Sequence, residues 1–162
     1  MAHDTMSLFD LDNLRPRLAL VNTWEEFRNL RYALVPLEPA KVFHALFTIA
    51  VVDQIDGADT IAGRLLVDLD PLCPLSCRDA ILDLARGNWN PSRREVPFYL
   101  VTQFGKQQVL QVAEEVLANG GLEGWPRQAV ETVKYWARFP AADLVEPLHY
   151  WQWKDVIEAH NA

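Results

Sequence analysis

SRREVPFYLVTQFGKQQVLQVAEEVLAN, Ser92 to Asn119, is the stretch whose reading decides the fold. Ser92 and Glu95 stand at the spacing of a reciprocal N-terminal cap, and Pro97 falls in a first turn, where its missing N–H costs nothing. Leu100, Val101 and Phe104 follow at helical spacing, and Gly105 can take the left-handed conformation that closes a helix. Val109, Val112, Ala113, Val116 and Leu117 then recur at i, i+3, i+4, i+7 and i+8, a single apolar stripe, with Gln107, Gln111, Glu114 and Glu115 largely off it. The pattern predicts two helices folded back on each other.

Similar signals extend in both directions. Thr23 precedes Trp24-Glu25-Glu26 as an N-cap, and Phe27, Leu30 and Leu34 give that helix an apolar face before Pro36. Pro39 opens a helix that is apolar almost all round (Val42, Phe43, Leu46, Ile49, Ala50), which predicts a central, buried position. Asp59 or Thr60 can cap a short helix over Ile61–Leu69, although Leu65-Leu66-Val67 also fits a buried strand. Ser76 caps Cys77–Arg86, Pro126 starts a helix that runs to Pro140, and a last helix follows Pro147. The expectation is an all-α chain of about seven short helices in antiparallel hairpins, one domain over 1–162, with residues 1–22 a short irregular segment.

Half of the 162 residues are apolar, enough for a real core. The net charge of −7 argues against nucleic acid and anionic membranes, since phosphate binding needs clustered Lys and Arg. The N-terminus shows no signal-peptide pattern, and Val42–Val52 is too short to span a bilayer, so a cytoplasmic protein is expected. Cys73 and Cys77 define no disulfide framework and lack the further ligands that zinc needs. Asp53, Asp56 and Asp59 lack the spacing and the distal Glu of a calcium loop. No metal or cofactor is expected.

Asp70-Pro71 followed by Arg78 and the alanine-containing helix to Ala85 resembles a HEAT-type repeat, and Pro97 and Pro126 lie 29 residues apart, a helical-repeat separation. The resemblance covers about residues 60–140 and implies a scaffold that binds other macromolecules. Phe9-Asp10-Leu11-Asp12 and Val67-Asp68-Leu69-Asp70 resemble the nucleophile motif of haloacid-dehalogenase-type phosphatases, which implies Asp68 as nucleophile, Asp70 as acid/base and Mg²⁺ between them. The Gly-Thr continuation of that motif is missing, and Asp70 is followed by Pro71-Leu72.

Two features point to binding. Asp53, Asp56, Asp59, Asp68, Asp70, Asp79 and Asp83 stand against Arg64 and Arg78 alone, which suggests an acidic face for a basic protein partner. Tyr150, Trp151 and Trp153 fan around a helix, so at least one faces outward as an interface anchor. The expected function is a non-catalytic protein-binding module, in one version an acidic immunity protein covering the basic site of a toxin, through Asp53, Asp56, Asp59, Asp79, Asp83, Tyr150, Trp151 and Trp153. The alternatives are a small Mg-dependent phosphatase using Asp68 and Asp70, and a homo-oligomeric helical protein.

Overall fold

The computed structural model describes residues 11–52 and 57–139. Within them a 3₁₀ turn (Leu11–Asn13) leads into eight helices: α1 (Leu14–Ala19), α2 (Trp24–Leu34), α3 (Pro39–Ala50), α4 (Ala58–Leu69), α5 (Cys77–Arg86), α6 (Glu95–Phe104), α7 (Lys106–Asn119) and α8 (Gly124–Ala137). The chain is all-α. Leu65–Val67 belongs to α4, so that ambiguous segment is helical, and of the stretch 1–22 expected to be irregular, Leu11–Ala19 forms the 3₁₀ turn and α1.

Local chemistry set several boundaries as expected. Thr23 Oγ1 accepts the Glu26 amide hydrogen at 3.1 Å while the Glu26 carboxylate accepts from the Asn22 amide at 3.0 Å. Ser76 Oγ caps α5 by accepting from the Asp79 amide at 3.1 Å. Gly105, at φ +87°, ends α6 and starts α7 in one residue.

Three boundaries differ. The Ser92–Glu95 cap does not form: α6 begins at Glu95, and the Ser92 amide instead donates to Asn90 Oδ1 at 2.9 Å. Glu95 is 6% exposed and lies against α4, so it cannot reach back to Ser92. Gly57, at φ +78°, occupies the N-cap of α4 in place of Asp59 or Thr60. α8 starts at Gly124, two residues before Pro126.

One continuous core runs from Leu14 to Ala137, with Trp89, Tyr99, Phe27 and Phe43 its largest fully buried side chains. α3 packs along α4, and α7 along α8. α6 touches α7 but packs more extensively on α4, so Ser92–Asn119 makes a corner and the principal partner of α7 is α8. α4 also packs on α6, α6 on α8 and α5 on α7. α5 packs mainly on α7 and α8, and α1 crosses to α4, which makes the bundle irregular. No helix among the described residues is long and apolar enough to cross a membrane.

The apolar stripe of α7 is narrower than its sequence pattern. Val109, Ala113 and Val116 are buried, whereas Val112 and Leu117 are half-buried at its edges. On α3 the expected residues are buried together with Phe47, and Lys41, His44 and Thr48 form an exposed stripe that no helix among the described residues covers.

Candidate functional site

The acidic face is the first expectation to change. Asp59 is 2% exposed, in the first turn of α4, with Oδ2 3.6 Å from Arg93 Nε, so it is a buried structural charge and unavailable to a partner. Asp79 and Asp83 are exposed on α5, between the exposed Arg78 and Arg86. Asp53, Asp56, Tyr150, Trp151 and Trp153 lie outside the described residues. Residues 1–10, 53–56 and 140–162 hold Asp4, Asp10, Asp53, Asp56, Asp143, Glu146, Asp155 and Glu158 against Lys154 alone, which accounts for the whole net charge of −7. The described residues are net neutral.

The Asp68/Asp70 pair is occupied by protein contacts. Arg31 on α2 ion-pairs through Nε with Asp68 Oδ2. Asp70 sits at φ +46°, capping α4 as its backbone N–H donates a hydrogen bond to the Leu66 carbonyl at 2.9 Å. Its Oδ1 accepts from Gln103 Nε2 at 2.7 Å and from Thr102 Oγ1 at 3.3 Å. Both carboxylates therefore tie helices together, Asp68 to α2 and Asp70 to α6. They do not follow a strand, as the phosphatase motif requires. Apart from this ion pair α2 makes a small contact with α4, so Asp68→Asn is expected to cost about 1 kcal/mol, discounted for partial exposure. It should speed amide exchange in α2. Calorimetry should show no Mg²⁺ binding to the wild type; tight Mg²⁺ binding that Asp68→Asn abolishes would return the enzyme reading.

The most polar buried region lies where α4, the loop before α6, and α6 meet. Arg64 of α4 faces Glu95, and its guanidinium is driven below its ordinary pKa by burial, with repulsion from Arg94 and Arg93 opposing the attraction of Glu95. Arg93 turns towards Asp59, and the Arg94 guanidinium carbon stands 5.9 Å from the Trp136 ring centroid on α8. Trp136 Nε1 in turn donates to the Pro91 carbonyl at 2.9 Å. The Arg93-Arg94-Glu95 run thus braces three helices. Three adjacent charges before an apolar helix were the visible signal; their partners on α4 and α8 were not.

Cys73 and Cys77 are free thiols, Cys73 beside Tyr99 and Cys77 near Cys73. Burial pushes the Cys77 thiol up to about 11, with help from Cys73, and raises Cys73 as well. Neutral thiols are poor nucleophiles, and Tyr99 donates its hydroxyl hydrogen to the Pro71 carbonyl at 2.6 Å. This corner is packing. Among the described residues no group of three or more His, Cys, Asp or Glu is placed to hold a metal ion.

No family model matches the chain, and neither a curated protein nor a solved structure matches it.

A concave surface with an apolar floor runs along α3. It is a groove of about 950 Å³ between the uncovered stripe of α3, the 3₁₀ turn and the α2–α3 connection. Leu11, Leu37, Ala45 and Ile49 line its floor, and Asp12, Arg15, Glu38, Lys41, His44 and Thr48 its rim. Lys41 is partly neutralised by Glu38 at 3.6 Å. The sequence placed α3 centrally because its apolar residues dominate; Lys41, His44 and Thr48 at i, i+3 and i+7 were the signal of an open side.

Proposed function

We propose that the protein is a non-catalytic protein-binding module whose contact surface is the groove along α3. The observation that carries this reading is the groove itself. Its length follows a three-turn helix, its floor is apolar, and its rim is charged, which suits an amphipathic segment laid along a helix-lined channel. Charge selects the partner. Asp12 and Glu38 stand on the rim with Arg15 and Lys41, and in the sequence Asp10 directly precedes Leu11 while Asp53 and Asp56 follow α3, which tips the local charge of the sequence to acidic. An amphipathic segment with a basic polar face is the complementary ligand, and the basic site of a toxin would be one instance. We place this encounter in the cytoplasm, in keeping with two free thiols.

Ala45 is half-buried in the floor, so Ala45→Arg should fill the groove and add a repelling charge while leaving the melting temperature within a few degrees. A host protein captured by the tagged wild type should be lost by Ala45→Arg and retained by the surface control Arg78→Ala. Its association with the wild type should slow as salt rises. A partner held equally by Ala45→Arg would exclude the groove.

A further inference from the structure

One wall of the α3 groove is built differently from the rest. Pro36, Leu37 and Glu38 supply it, between the end of α2 and the start of α3. The Val35 amide donates to the Arg31 carbonyl at 3.2 Å and the Leu37 amide to the Leu34 carbonyl at 3.1 Å, so the connection winds on from α2 and moves with it. Past it α3 starts afresh at Pro39, with the Val42 amide donating to the Glu38 carbonyl at 3.0 Å.

α2 itself is lightly held. Phe27, Leu30 and Leu34 are buried along one line of the helix, while Tyr32 and Val35 stand 63% and 57% exposed. Among the described residues its backbone makes a small contact with α4 and no more than marginal ones with any other element. A crevice of about 360 Å³ lies beside it, between Arg17, Leu20 and Val21 on one side and Glu26, Asn29 and Leu30 on the other. A helix fixed along a single apolar line can tilt about that line, and here open volume borders both of its ends. A lateral tie decides the tilt. That tie is the ion pair of Arg31, on the flank of the buried line, with Asp68 in the last turn of α4. Since α4 packs along α3, the pair links the movable wall to the helix that underlies the floor.

We propose that Arg31 and Asp68 are positioning residues of the groove: their ion pair latches α2 and thereby sets where Leu37 and Glu38 stand against α3. The inference rests on the reading of this groove as the contact surface. Neither residue lines the groove, so their effect on binding reaches it through α2. With the latch closed the wall is in place before a partner arrives, and binding costs less ordering. With the latch broken α2 keeps its buried side chains, but the wall it carries is no longer fixed.

Residue-resolved amide exchange followed by NMR tests the latch without a partner. Asp68→Arg, which sets two guanidinium groups against each other, should speed exchange of the Val35 and Leu37 amides about tenfold and leave Leu46 and Phe47 of α3 within about twofold. Arg31→Asp combined with Asp68→Arg should restore the wild-type rates. Asp68→Ala should act in the same direction by about fivefold, and it serves alone if Asp68→Arg does not fold. A fluorescent synthetic helix of Leu and Lys, with a basic polar face, reports on the groove. Its binding should weaken about threefold in Asp68→Ala, recover in the charge-swapped pair and vanish in Ala45→Arg. The proposal is overturned if neither Asp68 variant speeds exchange at Val35 and Leu37, or if exchange rises equally in α3, which is loss of stability alone. It is also overturned if the peptide binds Asp68→Ala and the wild type alike while Ala45→Arg loses it. A peptide held equally by the wild type and Ala45→Arg overturns the groove reading instead, and the exchange result then decides the latch.

Discussion

Val116→Asp is expected to unfold the protein at room temperature, whereas Val112→Asp, four residues earlier on the same helix, should fold and lose about 1 kcal/mol. Val116 is fully buried where α7 meets its neighbours, and an unpaired carboxylate there costs several kcal/mol against a total stability of roughly 5–15. Val112 is half-buried beside Phe104 and Gln108 on the outer side of the Gly105 corner, where a carboxylate keeps contact with water. Thermal melts followed by circular dichroism separate the two. Equal destabilisation would mean that α7 is rotated about its axis from the orientation described.

Gly63→Val should destabilise by about 2–3 kcal/mol, the cost of overpacking a tight helix contact. A Cβ on Gly63 would stand 2.9 Å from Glu95 Cβ, which belongs to the stem of a buried side chain and cannot swing away. α4 and α6 approach closely only because position 63 has no side chain. Gly63→Ala gives the sharper reading, because its sign is informative. On an uncrowded helix alanine would gain about 1 kcal/mol over glycine; here the clash should outweigh that gain and lower the melting temperature. A rise in stability on Gly63→Ala would show that the two helices stand farther apart.

Sequence alone determined which segments are helical and where many of them end. Those are local decisions. A Thr23 or Ser76 hydroxyl meets an amide three residues on, an apolar residue recurs each turn, and Gly105 permits a conformation that other residues resist. The same locality explains the failures. Ser92 and Glu95 had the spacing of a cap, but Glu95 is held under Gly63 and Arg93-Arg94 are drawn to Asp59 and Trp136, so long-range contacts outbid a local hydrogen bond. Asp59 read as surface charge because its partner, the half-exposed Arg93, lies far along the chain. Asp68 and Asp70 left a catalytic pair open as an alternative, for want of any sign of Arg31 or Gln103. The open side of α3 was marked in sequence by the polar stripe Lys41, His44 and Thr48, but periodicity could not show that Leu11, Leu37 and Arg15 from other elements would wall it into a groove. Tertiary structure alone decided which group each carboxylate meets, Arg31 for Asp68, Arg93 for Asp59 and Gln103 with Thr102 for Asp70, because chain order does not encode a neighbour brought in from another helix.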